Sequence, residues 1–304
     1  MTILQAQQLT RINNSLTRNS EAILLSKIEW EGSCLGSEST LHQLAPYIGK
    51  MKSTMAKALI REYSRQGDLV LDPFVGSGVV ALECLIAGRG IIATDINPYA
   101  LLLTKAKLEA PNTLAEAISK ATHYLQKLKS SINHISMCDI PDWVKEFFHP
   151  QTLTEIVSLN TLLTENREYF LQACLLGILH HQRPGFLSYP ASHLVPYLRT
   201  QKFPKEEYPT AYEYRAVEPR LLAKIHRVYR RFPKINENLI RVCRFEDAAK
   251  LSLEPESVDA IITSPPYMNA LDYARDNRLR LWFLGVTQHD GYDRRANGTW
   301  LRYV

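Results

Sequence analysis

Two short stretches of this 304-residue chain combine residue types and spacings that can hold and position a reactive ligand. The first, LVLDPFVGSG, runs from Leu69 to Gly78. It is an apolar run that fits a buried parallel strand, stopped by Asp72-Pro73, with Phe74, Gly76 and Gly78 at alternate positions after it. Glycine there lets the backbone turn tightly and lets a ligand approach where a Cβ would block it. Asp95, 17 residues after Gly78, closes the next apolar run, about where doubly wound folds set a carboxylate for ribose hydroxyls. The second stretch is Thr263-Ser264-Pro265-Pro266-Tyr267, after the apolar run Val258 to Ile262. Taken alone, the first fits any nucleotide-binding α/β unit and the second fits a proline turn.

The elements that must position these residues follow from periodicity. Val79 to Ala87 has helical spacing, with Val79, Leu82 and Ile86 inward and Glu83 outward, and Gly88 and Gly90 end it. Ile91 to Ala93 is expected as the second strand, Leu239 to Cys243 as the third, and Val258 to Ile262 as the fourth. Upstream, a helix is expected from Ser53, with Met55, Ala58, Leu59 and Tyr63 on its apolar side. Residues 98–238 far exceed a crossover connection and imply an inserted module. Within it, Tyr99 to Leu108, Leu114 to Leu128, Pro141 to Phe148, Tyr169 to His180 and Arg220 to Phe232 read as helices, and Ala270 to Leu284 follows Tyr267 as another.

DPFVGSG, TDINP after the next strand, and TSPPY after a later one together resemble the AdoMet-dependent DNA amino-methyltransferases, enzymes that methylate exocyclic amines of bases. The resemblance covers residues 42–108 and 239–285. It implies a Rossmann-like α/β methyltransferase sheet with a large, mostly helical insertion, and S-adenosyl-L-methionine (AdoMet) as cofactor. The implied cofactor residues are Asp72, Pro73, Phe74, Gly76, Gly78, Asp95 and Ile96. The family's Tyr-x-x-Lys segment, which closes over the methionine end, is matched by Tyr47 and Lys50, and its acid for the adenine amine by Asp247.

The same resemblance gives SPPY the chemistry. An exocyclic amine has its lone pair delocalised into the ring, and two acceptors held against its hydrogens free that pair for attack. Proline peptides fix the backbone and offer no competing N–H, so the Pro265 carbonyl, stiffened by Pro266, can accept one hydrogen and the Ser264 hydroxyl oxygen the other. Tyr267 offers a flat face to a base swung out of the duplex. Serine rather than aspartate or asparagine at 264 leans toward cytosine N4 over adenine N6. Alternatives are methylation of an RNA base amine, or a non-catalytic DNA-binding or scaffold subunit.

The net charge of +5 is too modest to prove a nucleic-acid partner, but its distribution is uneven. Leu194 to Lys234 holds ten Lys or Arg against four Glu, a balance of +6, with tyrosines interspersed. Arg199, Lys202, Arg220, Lys224, Arg227 and Arg231 are the expected phosphate contacts on double-stranded DNA. Residues 110–236 are then the candidate target-recognition module, 41–109 with 237–304 the catalytic domain, and 1–40 an N-terminal arm. Five scattered cysteines without a CxxC pair suggest buried small residues rather than a disulfide framework or a zinc site, and no metal is expected. No apolar stretch is long enough to span a bilayer and the N-terminus is no signal peptide, so the expectation is a cytoplasmic protein, one of a restriction-modification system. Only 37 residues follow Tyr267. The family's sheet needs further strands there, so the strand before SPPY is expected to show an open edge and an uncovered apolar face, with a second chain supplying the missing strands.

Overall fold

The computed structural model describes residues 38–131, 138–179, 186–188, 203–266 and 273–286. The expected N-terminal arm lies almost wholly outside them. Four strands form one parallel sheet in the order β3-β2-β1-β4, with β1 at Leu69–Asp72, β2 at Gly90–Asp95, β3 at Arg241–Phe245 and β4 at Ala260–Ile261. Leu71 pairs with Ile92 on one side and with Ile261 on the other, so the order reverses at β1. A ligand crevice is expected outside the carboxyl ends of the strands at such a reversal.

Two strand limits differ from expectation. Ladder hydrogen bonds to β2 begin opposite Ile91 and run to Asp95, which moves β3 two residues downstream of Leu239 to Cys243. Around the short β4, Asp259 N donates to Leu69 O and Ile262 N to Leu71 O, continuing its alignment with β1 on both sides. Among the described residues β3 and β4 are the sheet edges, and Ile261 on β4 is 63% exposed.

Ten α-helices surround the sheet among the described residues: α1 Ser53–Tyr63, α2 Val79–Ile86, α3 Pro98–Leu108, α4 Leu114–Ser131, α5 Asp142–Lys145, α6 Pro150–Glu165, α7 Tyr169–Gly177, α8 Val217–Val228, α9 Tyr273–Asp276 and α10 Arg278–Phe283. The long helix α6 escaped the periodicity reading. The buried side of α1 is Ala56, Ala58 and Ile60, with Leu59 partly buried, whereas Met55 is only partly buried and Tyr63 is exposed, because Ala56 and Ile60, one turn apart, are the residues that enter the core shared with α2. Helix α2 has no outward face. Val80, Ala81 and Cys84 enter a core with Val70, Ile91 and Ile60, while Leu82 enters a second core. Glu83, expected outside, is therefore sealed in, and its Oε1 lies 2.7 Å from His42 Nε2.

The second core runs from Tyr99 and Leu103 on α3 through Ala121 and Leu125 on α4, Ile156 and Leu159 on α6, and Phe170 to Leu176 on α7, and on to Leu281 and Phe283 on α10. Buried polar ties fix its geometry. Glu155 accepts from Val217 N at 2.8 Å and so satisfies a free amide at the start of α8. Asn160 Nδ2 donates to Phe283 O at 2.8 Å, joining α6 to the end of α10. Of the cysteines, Cys84 and Cys174 are buried as expected and Cys243 is half-buried, but Cys138 is exposed.

The basic stripe on α8 needs one correction. Val217, Leu221, Lys224, Ile225 and Val228 form its buried side, so Lys224 falls at the margin of the core and not on the charged face. Its Nζ donates to Gln43 O at 2.7 Å, and burial pulls its pKa down to about 8. A lysine with a folded pKa below its unfolded value of 10.5 adds stability only above that value and loses it as pH falls through about 8. Lys224→Met should thus be at least as stable at neutral pH. The relief of an ionisation cost of at most about 3 kcal/mol outweighs one lost hydrogen bond of about 1 kcal/mol. Urea unfolding at pH 7 checks this, and a clear loss of stability would show that the ammonium is well accommodated.

Candidate active site

The glycine loop joins β1 to α2, and its shape is held from three sides. Val75 N donates to Thr94 O at 3.0 Å, and Gly78 N returns to Val75 O at 2.9 Å. Asp95, at the end of β2, accepts from Gly76 N at 2.9 Å and from Asn97 N at 2.8 Å. Gly78 precedes α2 in the left-handed region, φ +72, where a Cβ would lie 2.7 Å from Thr104 Oγ1 and 3.1 Å from the Thr104 Cα. Both the turn and the close approach of α3 therefore require glycine. Gly76, at φ +50, faces the Tyr47 ring, 3.4 Å from where its Cβ would be. From behind, the Lys107 ammonium donates to Ser77 O, and burial lowers its pKa to about 7.

Across the reversal at β1, Thr263 Oγ1 donates to Asp72 Oδ1 at 2.6 Å. This is the described contact that ties the residues leading into SPP to the glycine loop. Phe74 N donates to the same oxygen at 3.2 Å. Asp72 is 2% exposed. Burial is the largest influence on it and raises its pKa from 3.8 to about 7; the two hydrogen bonds oppose that rise and the Asp95 charge adds to it. Its Oδ2 has no hydrogen-bond partner among the described residues. The site thus carries a half-satisfied carboxyl able to receive a cationic group.

The remaining expected residues fall around this centre. Pro73 is half-buried and Phe74 is exposed at the carboxyl end of β1, and half-buried Ile96 follows Asp95 at the end of β2. Tyr47 stacks with Tyr99, ring centroids 6.1 Å apart, and the tilted Tyr273 ring also lies with its centroid 6.1 Å from that of Tyr47. Lys50 donates to His42 O at 3.1 Å, so its amine is turned to the segment before Tyr47. Asp247 follows β3, and its carboxylate accepts from Ala249 N at 2.9 Å. Ser264 is half-buried and Pro265 and Pro266 are exposed, while Tyr267 lies outside the described residues. Of the basic set, Arg231 is exposed, Arg227 is half-buried and Arg220 donates to Ala216 O at 3.1 Å. Arg199 and Lys202 lie outside the described residues.

Two contributors were not read as site residues from the sequence: Thr263, adjacent to the motif, and Lys107, whose position behind the loop depends on how α3 crosses α2. No group of His, Cys, Asp and Glu that could hold a metal occurs among the described residues. Nor is any described helix long and apolar enough to cross a membrane.

Residues 13–106 match the model of the DNA methylase family. In this the chain is similar to AdoMet-dependent DNA amino-methyltransferases. It is 28% identical over 132 residues to Type II methyltransferase M.MjaII of Methanocaldococcus jannaschii, covering 43% of this chain and 22% of that protein. It is 24% identical over 287 residues to Type II methyltransferase M.BsoBI of Geobacillus stearothermophilus, covering 82% and 53%. With Type II methyltransferase M.XycI of Xanthomonas campestris pv. cyanopsidis it shares 34% identity over 80 residues, covering 25% and 27%. The chain thus spans between about a fifth and about half of the length of these curated relatives. No solved structure matches it. These comparisons give no support to the expected second chain. DNA methyltransferases of this family use AdoMet as methyl donor.

A carboxyl whose folded pKa stands above its unfolded value favours folding at low pH, and that contribution is lost as pH rises from about 4 through about 7. Asp72→Asn keeps an acceptor for Thr263 but does not ionise. Its unfolding free energy should therefore exceed the parent's at pH 8 and approach it near pH 4, the difference at the upper end being at most about 4 kcal/mol. A gap that does not change with pH would contradict the buried, ionising carboxyl.

Proposed function

We propose that this chain transfers the methyl group of AdoMet to an exocyclic amine of a base flipped from double-stranded DNA, in the cytoplasm and within a restriction-modification system. The observation that carries the reading is the Thr263–Asp72 hydrogen bond, which joins the glycine loop to the SPP segment at the sheet's reversal. A cofactor loop and an acceptor loop that share a hydrogen bond suit a reaction that depends on positioning. The residues present fit AdoMet: Gly76 allows the left-handed turn of the loop beside Tyr47, and Asp72 Oδ2 is open to a cation. When bound, AdoMet supplies an already activated methyl on its sulfonium.

The chain's own residues do the rest. Ser264 Oγ and the Pro265 carbonyl accept the two amine hydrogens and free the lone pair, and Tyr267 stacks on the base. Tyr47, Lys50, Asp72, Pro73, Phe74, Gly76, Gly78, Asp95, Ile96 and Asp247 line the cofactor side. Arg199, Lys202, Arg220, Arg227 and Arg231 neutralise phosphates, and residues 110–236 read the DNA sequence. Serine rather than aspartate or asparagine at position 264 leans toward cytosine N4 over adenine N6.

Incubation with labelled AdoMet and mixed-sequence duplex DNA or bulk RNA, followed by digestion to nucleosides, tests this reading. N4-methylcytosine in the DNA is the expected product. N6-methyladenine would reverse the choice of base, label confined to RNA would reverse the choice of nucleic acid, and cofactor binding without transfer would favour a non-catalytic subunit. Tyr267→Ala should weaken DNA engagement by about 1–3 kcal/mol while leaving AdoMet affinity nearly unchanged. Asp95→Ala should weaken AdoMet first, because it also frees the Gly76 amide. Equal loss of cofactor in both variants would contradict this division of roles.

A further inference from the structure

We propose that Thr263 is a positioning residue that acts through Asp72. Its hydroxyl occupies Oδ1 and favours the carboxylate form, with Oδ2 presented to a cationic ligand group, while the same bond sets the acceptor loop against the donor loop. The inference rests on the reading of the glycine loop as the AdoMet site. Three features of the geometry carry it. Thr263 Oγ1 lies 2.6 Å from Asp72 Oδ1, although 191 residues separate the two in sequence. Asp72 is 2% exposed and is matched by no cation among the described residues, so hydrogen bonds alone support its charge. Among the described residues those bonds come from the Thr263 hydroxyl and the Phe74 amide, and both end on one oxygen.

The titratable groups that face Asp72 make the threonine bond more consequential. Asp95 on β2 opposes its ionisation, and the Cys84 thiol on α2, itself pushed up to about 12 by burial, supplies no positive charge. The Thr263 hydroxyl is the strongest described influence that favours the charged form. A valine at 263 keeps the shape and the β-branch and removes only the donor.

Removing a hydrogen bond to a charged group raises the carboxyl titration by about one on the pH scale, which corresponds to about a tenfold change in the charged fraction below the midpoint. Thr263→Val should therefore bind AdoMet about tenfold more weakly near pH 6.5, with the loss shrinking toward pH 8 as Asp72 ionises. Thr263→Ser should restore the parent's profile.

The test uses the full chain and two readouts between about pH 5.5 and 8, with variants compared to the parent at the same pH because the ligand's own α-amino group begins to lose its charge above about pH 7. One is AdoMet affinity by calorimetry, and the other is the carboxyl carbon resonance of Asp72 followed by NMR. A midpoint that rises in Thr263→Val and returns in Thr263→Ser, with affinity following it, supports the proposal. A midpoint unmoved in Thr263→Val overturns it, as does an affinity loss of equal size at every pH. If the parent chain binds no AdoMet at any pH, the reading of the glycine loop fails, and the part of the proposal that concerns ligand binding falls with it. The NMR midpoints still decide whether Thr263 controls the Asp72 charge.

Discussion

A carboxyl group taken out of water at the carboxyl end of β1 constrains everything around it. Asp72 must end the strand, accept from whatever donors lie nearby and still keep an oxygen open, which only a few arrangements of the flanking loops allow. Thr263 meets one requirement and the turn at Phe74 the other. The turn is possible because Gly78 leaves the helix start in a left-handed conformation and lets Thr104 of α3 come close. Asp95 then fastens the loop from the next strand through the Gly76 amide. Two acids and two glycines thus set a single backbone path, and its concave side opens where the strand order reverses.

The inserted helices brace this arrangement. One continuous core links Tyr99 and Leu103, directly behind the glycine loop, to α4, α6, α7 and α8. Asn160 binds the end of α10, so that helix is held by the insert. The buried Glu83 and His42 show the same economy of space. Burial raises the glutamate to about 7 and drives the histidine well below its usual range, so the pair is held as a neutral hydrogen bond with the lysines around it. Such a pair adds rigidity without placing an unscreened charge beside the site.

The motifs were legible because their chemistry needs fixed residue types at fixed spacing: an acid and a proline at a strand end, alternate glycines, and a proline pair after a second strand. Local periodicity also located β1, β2, α3, α4 and α7. Where it failed, tertiary packing had overridden it. Glu83 looks exposed on a helical wheel, yet α2 is enclosed by two cores. Lys224 sits in a basic stripe and also in the i, i+3, i+4 series of buried residues, and sequence spacing alone cannot choose between them. Helix α6 mixes threonine, serine and asparagine with its leucines, which blurs its apolar period, and those polar groups find partners inside the fold. The bond from Thr263 to Asp72 spans most of the chain and could emerge only from the fold.

The most direct test of this account is a crystal structure of the chain with AdoMet bound. The account places the adenosine along the ends of β1 and β2, with the ribose near Asp95. The methionine ammonium should lie against Asp72 Oδ2, and the sulfonium methyl should point toward Ser264 and Pro265 with the Thr263–Asp72 bond intact. AdoMet bound elsewhere, or bound here with that bond broken and the two loops apart, would contradict it.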